Sequence, residues 1–565
     1  MKMLVIRRRM KLRFSRLRRV DTLRLALGAI VFLAAVGFHI FIAVHFVNEQ
    51  PDDGKLYVQL AKNIIEHGVF SSDSAAPFSP TLIRMPGYPM FLAAVYWAFG
   101  ISNEMAVRVI QAVFYSITCI FAALAASNWT VGKSRRFYTA SLVFILAAYC
   151  PFMAIYSATL LSETLTMFFL SATLLAATYA LKAQKTHCSL FWWAVAGLLG
   201  GAGVLLRPDA GLFAFGIGLT LVFSVFFGRG KFASRLPDRL LKGGLFTAGF
   251  ILVLVPWTIR NEYLFGVFQP LAPAHAEMPG EFVPHGYFLW LRTWIDDSKY
   301  IGPMLWNLET KPIRIEDVPA SAFSSEEEKL RIAALLGEYN NSDPEHPASP
   351  PAQRIATSGD EDSNQDTGES ETAETPDGAD ADTPTETEWD LKIIPQVDTG
   401  FEQIARERID REPWRFYFGL PAIRAASMWF DTHSDFYPFG GELLPLKDLD
   451  EETNQHLWLP LFAALTWAYT LLAFGGALVL WLSNDGRSRL LVFLMLAVSV
   501  PRIVFFAAIE NPEPRYLVEL FIPAAILGGI FLESCGGNAK QALSDWNCIM
   551  VKLGHDRVPA NAANK

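Results

Sequence analysis

The sequence contains few cysteines and little charge for its length. Its 565 residues include 5 cysteines, and 18% of them are charged, whereas soluble domains average about a quarter. The cysteines form no CxxC pair and no Cys/His spacing, which argues against a structural zinc site built on thiolates. None of them falls between 261 and 456, so a disulfide framework is not indicated in that long segment.

Basic residues are missing from one long stretch. Between Ala356 and Glu388 there is no Lys or Arg among many Asp, Glu, Thr, Ser, Gly and Pro residues. Low hydrophobicity and like-charge repulsion prevent such a stretch from forming a core. We expect disorder over about 340–388. The formal net charge of -8 conceals this clustering of acids and is no sign of a nucleic-acid partner.

Apolar and aromatic residues are abundant instead. The chain is 52% hydrophobic, with 43 Phe and 15 Trp and a mean hydropathy of +0.26. This composition predicts an all-α polytopic membrane protein. The first apolar segment is longer than the roughly 20 residues needed to cross a bilayer and lacks a small-residue cleavage site, so we interpret it as a retained span.

Ten spans are predicted, and the basic loops give them one orientation. A basic run from Arg7 to Arg19 precedes the first span, and the other basic loops fall on the same side. Because positive loops stay in the cytoplasm, both termini are predicted to be cytoplasmic. The spans are approximately Leu23–Val47, Met105–Ser127, Phe137–Tyr156, Ala158–Leu181, Leu190–Leu206, Gly211–Phe227, Gly244–Ile259, Leu457–Leu482, Leu490–Ala508 and Leu517–Leu532.

These spans divide the chain into five parts. A basic cytoplasmic N-terminus (1–22) precedes a first transmembrane domain (23–260), whose outer loop (48–104) carries two short juxtamembrane helices, Gly54 to His67 and Pro86 to Gly100. A large extracytoplasmic insert (261–456) is too long to be a simple connector. The last three spans (457–533) and a cytoplasmic tail (534–565) complete the chain.

Two carboxylates stand where the first span ends, in the stretch Asn48 to Tyr57. Ionised groups are strongly disfavoured within a bilayer but not just outside it, so Asp52 and Asp53 can remain charged close to a lipid-borne substrate. The simpler alternative is that one of them caps the following helix. The two roles are compatible with each other.

Other polar residues are predicted at the same outer ends of the spans. An acid such as Glu163 in the first turns of a span is unfavourable unless it faces a cavity or a partner. Arg502 is about twelve residues into the ninth span, which predicts an acidic partner or a polar cavity for it. For the remaining residues, interfacial anchoring is the common alternative: Arg84, Arg207, Arg260, Asn261, Arg515 and Tyr516.

The order of these motifs resembles the polyprenyl-phosphate-sugar-dependent membrane glycosyltransferases of the GT-C class, which include the protein mannosyltransferases and the lipid A aminoarabinose transferases. The resemblance covers about 20–265 and, more weakly, 400–533. It rests on Asp53-Gly-Lys-Leu-Tyr57, Arg84-Met-Pro-Gly-Tyr-Pro89, Ser162-Glu163, Arg207-Pro208, Pro256-Trp257 with Arg260-Asn261, and Arg515-Tyr516. The family often has Asp-Glu where this chain has Asp53-Gly54.

The resemblance implies transfer of a sugar from a polyprenyl-phosphate carrier to a glycan, lipid or protein acceptor on the outer face of a membrane. The reaction usually inverts the configuration at the anomeric carbon. The implied membrane is the bacterial inner membrane. It makes Asp53 the general base and Glu163 a second catalytic acid. No cofactor is required, although some members of the wider class use a divalent metal. The residues expected to bind substrate are Asp52, Lys55, Tyr57, Arg84, Tyr88, Arg207, Arg260, Asn261, Arg515 and Tyr516.

Two other classes of function compete with this one. A transporter or lipid flippase would use Arg502 and Glu163 as charges along a pathway, but it predicts matching broken segments in two halves, and no internal repeat is visible in the sequence. A non-catalytic scaffold would make the acidic segment the functional part. Most of the singled-out charges lie at outer ends of spans, which favours the enzyme.

Overall fold

The computed structural model describes residues 22, 26–46, 51–227, 232–342, 391–430, 436–437, 455–483 and 485–536. Over these residues the chain is helical and contains no strand, which confirms the predicted all-α class. The basic run from Arg7 to Arg19, the acidic stretch from 356 to 388 and the tail beyond 536 lie outside the described residues.

Seventeen α-helices follow one another along the described parts of the chain. They are α1 (Ala26–His45), α2 (Asp52–His67), α3 (Gly87–Phe99), α4 (Glu104–Ser127), α5 (Lys133–Ala148), α6 (Pro151–Ala154), α7 (Glu163–Lys182), α8 (Thr186–Leu206), α9 (Ala210–Phe227), α10 (Phe232–Phe265), α11 (His285–Arg292), α12 (Glu326–Asn340), α13 (Pro395–Arg411), α14 (Leu420–Phe430), α15 (Gln455–Leu482), α16 (Gly486–Ala508) and α17 (Pro514–Gly536), which opens with a 3₁₀ turn.

Eight of the described helices are long and apolar enough to cross a membrane: α1, α4, α7, α8, α10, α15, α16 and α17. The chain is therefore a multi-pass membrane protein. The other two predicted spans correspond to a shorter apolar helix within α9 and to a pair, α5 and α6, that is bent by 59°. The bend falls where Pro151 begins α6, because proline fits the first turn of a helix but not its interior.

Glycines bring α8 and α10 into close contact. A Cβ added at Gly201 would lie 2.6 Å from the carbonyl oxygen of Phe250, and one at Gly197 would overlap the backbone of Phe246. The two glycines are four residues apart, the spacing that lets transmembrane helices approach closely. α8 ends at Leu206, so this packing fixes the start of the segment that carries Arg207.

The chain divides into two compact units. The first comprises 1–283, 422–508 and 512–565, and the second comprises 284–421 and 509–511. In the second unit, α11 and α13 pack through buried aromatic rings: Trp290 and Phe401 have centroids 5.0 Å apart. Arg408 on α13 and Glu328 on α12 form a buried ion pair of 2.5 Å, which ties α12 to the same core.

Candidate functional site

The site begins in the first turn of α2. This helix starts at Asp52, its N-cap residue is Pro51, and no side chain caps it. The capping alternative for Asp52 or Asp53 is therefore wrong, since both aspartates lie inside the helix. Acids in the first turn are favoured by the helix dipole, and neither carboxylate is used up by a capping hydrogen bond.

Asp53 is held by two guanidinium groups, one on each carboxylate oxygen. Arg84 Nη2 donates to Asp53 Oδ1 over 2.9 Å, and Arg515 Nη2 donates to Oδ2 over 3.1 Å. The side chain of Asp53 is 26% exposed. Burial raises the pKa of Asp53, but the positive charges of Arg515 and Arg84 outweigh it, so that the pKa lies below its usual range. In the structure Asp53 is a paired, ionised carboxylate.

Arg515 has a second acidic partner close to it in the sequence. Its Nε forms an ion pair with Glu513, and the hydroxyl of Tyr516 donates to Glu513 Oε1 over 2.7 Å. Glu513 therefore holds both Arg515 and Tyr516 at the start of α17. The carboxylate is largely buried, with 8% of its side chain exposed, which makes this contact little screened by solvent.

A second group of charges is buried beside the first helix turn of α7. Arg207 Nη1 donates to Glu163 Oε1 over 2.5 Å, and its Nε donates to Asp209 Oδ1 over 3.1 Å. The guanidinium thus joins two carboxylates from α7 and from the loop before α9. Burial alone would raise the pKa of Asp209, but the positive charges of Arg207 and Arg502 outweigh it and lower the pKa to about 2. Asp209 stays ionised under ordinary conditions.

Arg502 extends this group into α16. Its Nη2 lies 2.6 Å from Asp209 Oδ2 and 2.9 Å from Glu519 Oε2, and both Arg502 and Glu519 are fully buried. The expectation of an acidic partner for Arg502 is confirmed. A buried guanidinium is tolerated when acids and hydrogen bonds satisfy it, and here Asp209 from the loop before α9, together with Glu519 and the carbonyl oxygen of Tyr516 from α17, supplies them.

Tyr516 lies between the two groups of charges. Its ring stacks on Phe506 with centroids 4.5 Å apart, and the guanidinium carbons of Arg207 and Arg515 are 5.4 Å and 5.3 Å from its centroid. Arg502 Nε also donates to the carbonyl oxygen of Tyr516 over 2.6 Å. Tyr516 therefore links Arg515 to Arg207 and to the buried Arg502.

Tyr57 lies one turn after Asp53 on α2, and Tyr88 packs against Tyr57. Tyr57 is buried on α2, and its ring contacts Tyr88 edge to face at 5.1 Å. Burial, reinforced by the charge of Asp53, raises the pKa of Tyr57 to about 12, so its hydroxyl remains protonated. Tyr88 donates to Gln111 Oε1 over 2.8 Å, which ties α3 to α4.

Arg260 and Asn261 lie in a separate cluster. Arg260 Nη1 donates to the carbonyl oxygen of Thr81 over 2.7 Å, and its guanidinium lies over the ring of Trp257 at 4.7 Å. Asn261 Nδ2 donates to the carbonyl oxygen of Gln269 over 2.8 Å. Thr81 is three residues before Arg84, so Arg260 braces the loop that carries Arg84. Its binding to substrate stays a prediction.

Asp52 and Lys55 are the most exposed of the predicted site residues. They form an ion pair of 2.9 Å with exposed side chains, 96% and 66% respectively. Exposed pairs of this kind contribute little to stability. In the structure Asp52 is paired with Lys55, and Asp53, not Asp52, contacts the arginines, which separates the roles of the two aspartates.

Three acids of the site were not predicted from the sequence: Asp209, Glu513 and Glu519. Asp209 and Glu513 belong to the motifs around Arg207 and Arg515. Glu519 lies within an apolar span, where an acid implies a cationic partner, so that Arg502 in the neighbouring predicted span was the available signal. Among the described side chains, no group of three or more His, Cys, Asp or Glu is arranged to hold a metal ion.

A cavity in the second unit offers a different arrangement. It is lined by three arginines, Arg408, Arg411 and Arg415, together with Glu412. Arg408 donates to Glu328 and to the carbonyl oxygen of Ala322 over 2.8 Å. Its contacts hold the loop before α12, which is a structural role.

Among known proteins, the chain is similar to solved structures only. No family model and no curated protein matches the chain. The chain is similar to ArnT from Cupriavidus metallidurans in the apo state, at 14% identity over 90% of this chain and 78% of that chain, with a TM-score of 0.36. It is similar to the same protein bound to undecaprenyl phosphate, at 14% identity over 91% and 79%, with a TM-score of 0.34. Both TM-scores are below 0.5, so no residue role is carried over from ArnT.

Proposed function

We propose that this protein is a membrane glycosyltransferase that moves a sugar from a polyprenyl-phosphate carrier to a hydroxyl acceptor at the extracytoplasmic face. One observation carries the proposal: the carboxylate of Asp53 lies between the guanidiniums of Arg84 and Arg515, six positions after the end of the predicted first span, Val47. The site therefore joins a base to two cations near the predicted membrane boundary.

This combination fits the charges of the reaction. When the bond from the sugar C1 to the phosphate oxygen breaks, its electron pair stays on the phosphate. The acceptor oxygen then bonds to C1, and the proton of the acceptor passes to Asp53. Cations that meet the growing negative charge lower the barrier because they bind the transition state more strongly than the substrate. A general base contributes typically ~10²- to 10⁴-fold.

Attack from the side opposite the phosphate would invert the anomeric carbon. In this scheme Arg84 and Arg515 hold the phosphate, and Tyr57 and Tyr88 form the wall beside Asp53. Glu163 acts together with Arg207, as the second acid of the site. The acceptor is a glycan, lipid or protein, and the membrane is the bacterial inner membrane with both termini in the cytoplasm.

The transporter alternative receives little support from the arrangement of charges. A pathway charge must be able to exchange partners with the solute. Arg502 is instead enclosed between Asp209 and Glu519 and is fully buried. Glu163 is 1% exposed and bound to Arg207. Both are built into the structure as fixed ion pairs.

A transfer assay with defined donors tests the proposal. Membranes containing the full chain would be supplied with labelled polyprenyl-phosphate sugars, and label moving to the acceptor fraction would be measured for wild type, Asp53→Asn and Asp52→Asn. We expect Asp53→Asn to lose at least ~10²-fold of the rate, because the amide cannot take the proton. Asp52→Asn is the matched control, and we expect it to keep its rate within about twofold since an exposed pair contributes little.

Two results would contradict the proposal. Full activity of Asp53→Asn at a normal level of membrane insertion would remove Asp53 from catalysis. Equal losses in the two variants would show that the charge of the first turn of α2 matters, and not the base.

A further inference from the structure

The two guanidiniums that are suited to hold the donor phosphate are paired with Asp53 in the structure. Arg84 and Arg515 each donate to one oxygen of Asp53, at 2.9 Å and 3.1 Å. A carboxylate with a cation on each oxygen is a weak base, because protonation must displace favourable charge pairing. In this pairing Asp53 is a poor base, and the two arginines have their charges directed at Asp53.

Arg515 is equipped to change partners without leaving the site. Its Nε forms an ion pair with Glu513, and its Nη2 donates to Asp53 Oδ2 over 3.1 Å and to Glu513 Oε1 over 3.4 Å. Tyr516 donates to the same glutamate over 2.7 Å, so Glu513 is fixed by its own neighbours. Nη2 can thus turn toward a new oxygen while Nε keeps its partner. Arg84 has one carboxylate partner and a weaker contact with the carbonyl oxygen of Ile83 at 3.2 Å.

We propose, resting on the proposed function, that donor binding moves Arg515 and Arg84 from Asp53 to the donor phosphate and so releases Asp53 to act as the base. Glu513 is the positioning residue that keeps Arg515 in place during the exchange. The order of binding follows: the donor arrives first and prepares the site for the acceptor.

The charges along the reaction support this exchange. The donor phosphate is a diester with one negative charge. When its bond to C1 breaks, it becomes a monoester with up to two negative charges. Over the same step Asp53 takes the acceptor proton and becomes neutral. Guanidiniums bind ionised oxygens in preference to neutral ones, so their partner after transfer is the phosphate. The arginines therefore stabilise the separation of charge that the reaction creates.

The burial of Asp53 makes the exchange raise its pKa. Two influences act on the pKa of Asp53 in the free chain: burial raises it, and Arg515 and Arg84 lower it below the usual range. When the guanidiniums turn to the phosphate, burial remains. The pKa of Asp53 is then raised, which brings the carboxylate closer to the range in which a general base is effective.

Steady-state kinetics over a range of pH test the exchange directly. The profile of kcat/KM reports the ionisation of the free enzyme, and that of kcat reports the donor complex. Because the base must be ionised, each rate falls as the pH drops through the pKa of Asp53. We expect the acid limb of kcat to lie ~1 to 3 pH units above that of kcat/KM, the range that a neighbouring opposite charge produces. Coincident limbs would overturn the proposal.

Arg515→Gln provides the second test. Removing this guanidinium should move the acid limb of kcat/KM upward, toward that of kcat, and raise the donor KM by ~10-fold or more, as expected for a lost hydrogen bond to a charged group. Arg406→Gln is the matched control, since Arg406 pairs with Glu402 on an exposed face of α13, and both readouts should stay at wild-type values. An unshifted limb in Arg515→Gln would contradict the exchange.

Arg84→Gln and Asp53→Asn separate a failure of the exchange from a failure of folding or of the proposed function. If Arg515→Gln does not insert into membranes, Arg84→Gln tests the other oxygen of Asp53 with the same two readouts. If Asp53→Asn is inactive while the wild-type limbs coincide, the glycosyltransferase assignment stands and the exchange is wrong. If Asp53→Asn keeps full activity, the assignment itself fails, whatever the pH profiles show.

Discussion

Asp53 and Arg515 are 462 positions apart in the chain, and Arg515 Nη2 donates to Asp53 Oδ2 over 3.1 Å. The contact joins the first turn of α2 to the start of α17. It brings the second and the last of the described helices to one point, at which Arg84 supplies the second cation.

Replacing Arg502 with Leu should strongly destabilise the fold. The substitution leaves Glu519 buried without its guanidinium and takes one of two arginines from Asp209. Breaking a buried ion pair by removing one partner costs ~3–5 kcal/mol. The free energy of unfolding in detergent micelles measures the effect. Arg406→Gln, which breaks an exposed pair, should cost less than ~1 kcal/mol, and similar values for the two variants would refute this prediction.

Gly87→Ala should weaken the packing of α3 against the end of α8. A Cβ at Gly87 would lie 2.6 Å from the carbonyl oxygen of Leu205, and such overpacking typically costs ~1–3 kcal/mol. Because Leu205 is two residues before Arg207, we also expect a lower transfer rate. Gly244→Ala is the control: its added Cβ meets nothing within 4 Å. Equal thermal unfolding of the two variants would count against this packing argument.

Chelation of divalent metal should leave the transfer rate unchanged. Arg84 and Arg515 provide two positive charges for the leaving phosphate, so the chemistry needs no further cation. The measurement is the initial rate after treatment with EDTA and dialysis, compared with the rate after adding back Mg²⁺ or Mn²⁺. A loss that either metal restores would show that a bound ion takes part.

The sequence predicted the helical elements well because each of them depends on local pattern. The apolar runs gave nearly every span, and the short amphipathic pattern from Gly54 to His67 gave the body of α2, which the structure begins two residues earlier, at Asp52. The error at this point was the capping role of the aspartates. A side chain in the first turn can turn to distant partners, and local pattern contains no information about Arg84 or Arg515.

Part of the site was also predicted from local pattern, because charges next to apolar segments are visible in the sequence. Glu163 and Arg207 stood out as charges at the ends of apolar segments, since ionised groups near lipid require partners. The pairing of Arg502 with Glu519 could have been inferred, as both interrupt apolar spans. The position of Glu513 as a partner of Arg515 could not, because a glutamate in a polar turn has an ordinary explanation in solvent.

The sequence by itself determined that this is an all-α protein of many spans and that its charged residues gather where the spans end, because hydrophobic length and the cost of burying charge are properties of each segment. Only the tertiary structure decided that Asp53 and not Asp52 meets the arginines, and that Arg84 and Arg515 share one carboxylate. Ion pairs depend on distances of a few ångströms between residues that are far apart in the chain, and the packing of α2, α3 and α17 sets those distances.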